Sequence, residues 1–235
     1  MFLPTTRREM DQLGWDQPDI ILVTGDSYID SPFIGVALIG RVLQHAGYRV
    51  GIIAQPDAQS HRDISRLGEP GLFWGVSGGS IDSMVANYTA LKKKRRTDDY
   101  TPGGINDRRP DRAAIVYSNL IRRYFKNTRP IVLGGIEASL RRLAHYDYWD
   151  DQVRRSLLLD AKADLLVYGM GEAAVGEIAA RLAGGEPVEA LRGIRGTACL
   201  CRPEEVPGQA LRLPSFEQAR DDPQAFLEAF RVLYA

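Results

Sequence analysis

Short apolar runs alternate with helical patterns along the chain. Residues 20–23 (IILV) form an unbroken apolar stretch that ends in Thr24-Gly25-Asp26. Such runs suit a strand buried on both faces, as parallel sheets require. Residues 34–45 then carry the spacing of a mostly apolar helix closed by Gly47, and residues 49–53 (RVGII) read as a second strand ended by Gln55-Pro56. Together they make one βαβ unit, with the right-handed crossover such units take. Residues 72–76 (LFWGV), 131–133 and 165–168 (LLVY) read as further strands, and 196–201 (GTACLC) as a sixth. Helical patterns fall near 81–91, over 112–126 and over 172–183, with helical turns expected at 138–143 and 153–160. Residues 92–109 are polar, charged and punctuated by Gly and Pro, so they read as a long loop. Strands and helices alternating at this spacing predict an α/β fold with a doubly wound, mostly parallel sheet.

Four of these strands run into glycine at their carboxyl ends: Gly25, Gly78 with Gly79, Gly134 with Gly135, and Gly169 with Gly171. Ligands of open α/β sheets sit at that edge, near the switch in strand order. Glycine lets the backbone approach them closely. These glycines, with Asp26, mark a candidate ligand crevice.

The chain has 235 residues, 44% of them hydrophobic and 26% charged. That suits one large globular domain, alone or with an appendage, and excludes a disordered, collagen-like or coiled-coil chain. No window approaches the ~18 apolar residues of a membrane span, and the start (MFLPTTRREM) has no signal-peptide apolar core. A soluble, cytoplasmic protein is expected. Formal net charge is zero, from 30 basic and 30 acidic residues, but residues 92–155 hold 16 Lys and Arg against 8 Asp and Glu. Only five of the basic residues are lysines. An arginine-rich basic half suits an anionic substrate, a nucleotide or RNA, and equally a solvated face laced with ion pairs. Cys199 and Cys201 are the two cysteines. On a strand they point to opposite faces, which disfavours a disulfide or a shared metal, so no metal site is expected.

Residues 202–216 are rich in Pro, Glu and Gly and read as a linker. Asp221-Asp222-Pro223 then reads as a helix start, followed by an apolar stripe of Phe226, Phe230 and Leu233. The expected division is a domain over 1–201, then a linker and the first helix of a following domain, cut short, over 202–235.

Three motifs carry candidate chemistry. Gly75-Val76-Ser77-Gly78-Gly79 matches a nucleophile elbow in the right strand–turn–helix setting, yet His145 is the only histidine after Ser77 and precedes the fifth strand. The glycines at 169, 171 and 176 depart from the dinucleotide fingerprint, and no Walker A sequence is present. Residues 137–151 (EASLRRLAHYDYWDD) are the densest polar and aromatic stretch. One reading has Arg141 and Arg142 grip an anion while Glu137, His145 or Asp147 handles protons. The other has Arg–Asp pairs and stacked aromatics pin a loop.

Several segments together resemble the YgiQ family of radical SAM proteins. They include GWDQPDIILVTGDSYID, GRVLQHAGYRVGIIAQPD, DDYTPGG, RRPDRAAIVY, KADLLVYGMGE and, most specifically, LGGIEASLRRLAHYDYWDD. The resemblance runs from Phe2 to about Phe216 and implies an amino-terminal, Rossmann-like domain, similar in layout to cobalamin-binding domains. In the full-length family proteins it precedes a radical SAM barrel, whose three-cysteine motif holds a 4Fe–4S cluster that cleaves S-adenosylmethionine. That motif is absent here, so the resemblance assigns no catalytic residue and no cofactor to this chain alone. The family's first-strand loop commonly reads DAYVDHP; here it is Asp26-Ser27-Tyr28-Ile29-Asp30-Ser31-Pro32. Ser31 replaces a histidine, which removes a metal ligand from the loop. Tyr28 stands where histidine-ligated cobalamin needs its histidine, leaving cobalamin only a mode without that ligand. The expected function is therefore an accessory domain that packs on a downstream radical SAM domain and helps shape its substrate site. The alternatives are a free-standing module for a nucleotide or cobalamin-like ligand, and a serine hydrolase at Ser77.

Overall fold

The computed structural model describes residues 2–234; Met1 and Ala235, the outer ends of the two expected segments, lie outside them. In chain order the first half builds α1 (Arg7–Gln12), β1 (Ile20–Thr24), α2 (Gly35–His45), β2 (Val50–Ala54), β3 (Phe73–Ser77), α3 (Ser83–Asn87) and α4 (Ala113–Tyr124). The second half builds β4 (Ile131–Gly134), α5 (Gly135–Leu140), β5 (His145–Asp147), β6 (Gln152–Arg154), α6 (Leu157–Asp160), β7 (Leu165–Val167), α7 (Glu172–Ala183), β8 (Thr197–Cys199), α8 (Phe216–Asp221) and α9 (Pro223–Tyr234).

Six strands form one sheet in the order β2-β1-β3-β4-β7-β8. Five are parallel, and β8 joins antiparallel, with Leu165 opposite Cys199. The expected doubly wound α/β sheet is therefore present, and its strand order reverses between β1 and β3, where such folds open a crevice.

Successive side chains alternate between the two faces, which is why the strand sequences read as unbroken apolar runs. Ile21, Val23, Trp74, Val76 and Leu133 pack under α4 and α1, around Tyr117 and Met10. Ile20, Leu22, Phe73, Val132 and Val167 pack under α2 and α7, around Leu43 and Ile178. Each fully buried aliphatic or aromatic side chain contributes about 1.5–3 kcal/mol.

Five local readings need correction. The helix expected near 81–91 is only α3, because Asp82 caps it through Met84 N–H and the chain turns extended at Tyr88. The turn expected at 138–143 is α5, starting at Gly135 straight off β4. Residues 153–160 divide into β6 and α6, and β6 pairs with β5 as a small antiparallel hairpin. Asp221 ends α8 rather than starting a helix; Asp222 caps α9 by accepting from Gln224 N–H at 2.8 Å. α1 has no counterpart among the expected elements, although Thr6 and Glu9 form a capping box at its start. Residues 92–109 form the expected long loop, with a single 3₁₀ turn at Pro102–Gly104, and Asp98, Thr101, Asn106 and Arg109 within it are buried.

Candidate functional site at the carboxyl edge

The carboxyl ends of β1 and β3 touch. A Cβ on Gly25 would run into the Gly78 carbonyl, and one on Gly78 into the Glu137 carboxylate, so neither position admits a side chain without rearrangement. That contact seats Asp26, which is buried: one oxygen accepts from Ser80 N–H at 2.6 Å and the other lies 2.8 Å from Arg109 Nη1. Arg109 also donates to the Gly78 carbonyl at 2.8 Å and to Asp98 at 3.1 Å. Burial pushes the Asp98 carboxyl up, but bonds from Tyr100 N–H, the Thr101 hydroxyl and Arg109 outweigh it and hold the group below its ordinary value. Gln55, at φ +43°, donates to the Gly25 carbonyl at 2.9 Å and to Thr101 Oγ1 at 2.7 Å. A left-handed glutamine persists only where its surroundings hold it, as these bonds do. The segment from Asp98 to Arg109 thus straps the ends of β1, β2 and β3.

Beside this strap a cavity of about 350 Å³ opens between the sheet edge and the first turns of α2 and α7. Leu22, Phe73, Gly75 and Val132 supply its apolar wall, with Thr24, Asp26 and Ser77 as polar groups. Gly79, Gly134, Gly135, Gly169 and Gly171 line it with backbone. A Cβ on Gly134 would meet nothing within 4 Å, so the space persists because that residue carries no side chain. Phe33 and Met170 stand at the mouth, 92% and 91% exposed.

The remaining residues expected in the crevice lie elsewhere. Glu137 is buried and accepts from Ser83 N–H at 3.0 Å and Ala114 N–H at 3.1 Å, tying the starts of α3 and α4. Arg141 pairs with Asp82. Arg142 donates to the Ser139 carbonyl at 2.6 Å and lies over the Tyr168 ring. His145 donates from Nδ1 to the Leu143 carbonyl at 3.1 Å, and burial keeps its pKa below the ordinary value. Asp147 is buried, and burial pushes its carboxyl up; Arg112 at 2.8 Å, with Trp149 and Asp150 N–H, overrides this and lowers it. Each of these groups is taken up by a neighbour, and the space between Glu137, Arg141, His145 and Asp147 is only about 10 Å³. Gly25 and Gly78 form the wall behind the cavity rather than its lining.

Ser77 Oγ accepts from Gly79 N–H at 3.1 Å, and no histidine lines the cavity, so the elbow has no base beside it. Tyr28 faces the amino-terminal segment, its hydroxyl accepting from Leu3 N–H at 3.2 Å. Arg109, Asp98, Gln55 and Thr101 carry no mark in the sequence that sets them apart. The available signal was a pair of carboxylates and an arginine inside a Gly/Pro-punctuated segment, a composition that also describes ordinary loops.

A 4Fe–4S cluster does not fit the residues present. Cys199 and Cys201 are the only cysteines, and no three His, Cys, Asp or Glu side chains group as a metal site among the described residues. No helix among the described residues is long and apolar enough to cross a membrane.

The family model described as Radical SAM N-terminal matches residues 2–235. A UPF0313 protein of Thermotoga maritima is 57% identical over 232 residues, covering 99% of this chain and 40% of that protein. A UPF0313 protein of Pseudomonas aeruginosa is 60% identical over 201 residues, covering 86% of this chain and 27% of that protein. The chain thus spans well under half the length of these relatives. Among solved structures, the radical S-adenosylmethionine methyltransferase TsrM from Kitasatospora setae, with cobalamin and a [4Fe–4S] cluster bound, aligns at TM-score 0.48 and 19% identity, over 77% of this chain and 27% of that one.

Proposed function

This chain belongs to the Radical SAM N-terminal family, and from that premise we propose that its carboxyl edge is one wall of a substrate site completed by a radical SAM domain of the same polypeptide. The observation that carries the proposal is the rim of the cavity. Phe33 and Met170 hold large apolar side chains almost wholly in water beside an apolar hollow at the strand-order switch. Apolar surface of that kind, rimming a cavity, suits coverage by another protein surface. In the complete protein the cluster and S-adenosylmethionine supply the radical chemistry. This chain's residues supply shape: the Asp26–Arg109–Asp98 strap fixes the floor, and the glycine turns leave room above it.

Three other readings find less support. A histidine-ligated cobalamin has no ligand among the residues lining the cavity. A hydrolase at Ser77 has no neighbouring base. A free-standing binding module shares the cavity with the favoured reading but leaves the exposed rim without a purpose.

The test is the Phe33→Asp, Met170→Asp double variant of the full-length protein. Both side chains are over 90% exposed in this domain, so its own unfolding midpoint is expected to hold. Charge buried against a second domain loosens the contact, and residues 202–215 become quickly cleaved in limited proteolysis. Cleavage at the wild-type rate contradicts the proposal.

A further inference from the structure

The basic run Lys92-Lys93-Lys94-Arg95-Arg96 is folded rather than loose. Tyr88 bridges to Lys94 in antiparallel fashion, Thr89 N–H donates to the Lys93 carbonyl at 2.9 Å, and Arg95 Nε donates to the Val85 and Tyr88 carbonyls. The next bridge, Thr97 to Ile105, brings Arg108 onto the same strap. Lys92 to Arg96 and Arg108 are all exposed. The side-chain charges of Lys93, Lys94, Arg96 and Arg108 have no partner among the described residues.

Several other cations of the basic half are spent on internal carboxylates, Arg112 and Arg154 on Asp147 and Asp150, Arg141 on Asp82, Arg109 on Asp26 and Asp98, while Arg123, Lys126 and Arg129 are exposed and spaced apart in sequence rather than in a run. Carboxylates close to the run are largely engaged too. Asp111 accepts from Tyr88 and Asn87, and Asp151 from the Tyr146 hydroxyl. Asp99 and Asp107 remain exposed, against the exposed cations named above.

An aromatic shelf adjoins the run. The Tyr148 hydroxyl donates to the Ala90 carbonyl at 2.6 Å, and Lys92 Nζ lies 4.8 Å from the Tyr148 ring centre. Trp149 packs between Tyr148 and Tyr88, with ring centres 5.4 Å apart in each pair. Tyr148 and Tyr146 remain 48% and 49% exposed. The β5–β6 hairpin and the basic hairpin are therefore one surface, with unpaired cations beside half-exposed rings.

We propose that this surface binds a single-stranded nucleic acid, its cations taking phosphates and the Tyr148 ring stacking a base. Phosphate affinity comes from displaced counterions, and a ring accepts the flat face of any base. An acidic protein would use the cations and leave the rings unused. A duplex would present no unstacked base. This inference is independent of the carboxyl-edge proposal.

The test is fluorescence anisotropy of the full-length protein with labelled oligouridylate and oligothymidylate of about 12 nucleotides across a salt series. Replacing Lys93, Lys94 and Arg96 together by Ala is expected to flatten the slope of log K against log salt by about 2, since each single-strand phosphate contact contributes about 0.7. Tyr148→Leu is expected to weaken binding about tenfold, with Tyr148→Phe close to wild type, because the ring stacks and the hydroxyl only reaches Ala90. Unfolding midpoints verify that the variants stay folded. An unchanged slope in the triple variant overturns the proposal. So does polyglutamate or heparin binding as tightly as the oligonucleotides with no dependence on Tyr148.

Discussion

Two regions of this domain hold its polar chemistry, and they are built in opposite ways. Around α5 and the β5–β6 hairpin, Glu137, Arg141, His145 and Asp147 are each engaged by neighbours, namely Ser83 and Ala114 N–H, Asp82, the Leu143 carbonyl and Arg112, leaving about 10 Å³ of space. At the carboxyl edge, glycine turns and apolar walls leave about 350 Å³, with few polar side chains facing it. The buried cluster around Glu137 and Asp147 has the letters of a catalytic site but its groups are bonded into the fold; the carboxyl edge has bland letters and the room. Side chains already engaged by the surrounding fold have little bonding capacity left for a substrate, whereas a backbone without side chains makes space for one.

The largest expected effect tests the strap that seats the carboxyl edge. Arg109→Met leaves Asp26 and Asp98 as buried, unpaired carboxylates and is expected to destabilise the fold by about 3–5 kcal/mol in urea unfolding. A loss under about 1 kcal/mol would mean the strap is not what seats the edge. Next, Glu137→Ala orphans two buried N–H groups and is expected to cost about 3 kcal/mol. A variant of unchanged stability would place Glu137 among functional groups and erase the contrast.

Gly134→Val tests the open region. Its Cβ enters empty space, so stability is expected to fall by less than about 1 kcal/mol. In equilibrium dialysis of the full-length protein against S-adenosylmethionine, hydroxocobalamin and ATP, whichever is retained through this cavity is expected to bind about tenfold more weakly. Unchanged retention would put the ligand elsewhere.

Smaller again is the pH response. Asp98 and Asp147 have lowered folded-state values, so their stabilisation is complete above the unfolded carboxyl value and is lost as pH falls through the folded ones. His145 is also lowered, so the unfolded chain takes its proton first and stability begins to decline as pH drops below about 6.5. Thermal melts from pH 7 to pH 3 are expected to fall monotonically, and a midpoint that rises below pH 6 would contradict this.

The sheet was legible because both faces of each strand are covered, and that burial leaves unbroken apolar runs such as 20–23. The glycine-ended edge was legible for a related reason, since Gly25 and Gly78 sit where backbones meet. Other features depend on long-range pairing. Arg109 reaches Asp26 across more than eighty positions of sequence, and no local pattern announces that pair. The roles of Glu137 and Asp147 depend on α3, α4 and Arg112 arriving beside them, so the same letters fit a catalytic site or a brace. The β5–β6 hairpin spans three residues per strand, too few for periodicity to separate from a turn.

The central claim is that the carboxyl edge is covered by the radical SAM domain. Methionine oxidation of the full-length protein by dilute peroxide, followed by peptide mass spectrometry, tests it most directly. Met10 and Met84 are buried within this domain and serve as protected standards, with free methionine as the exposed one. The account predicts that Met170, 91% exposed in this domain, oxidises almost as slowly as Met10 and Met84. Oxidation of Met170 at the rate of free methionine would contradict it, leaving the rim in water and the edge without a partner.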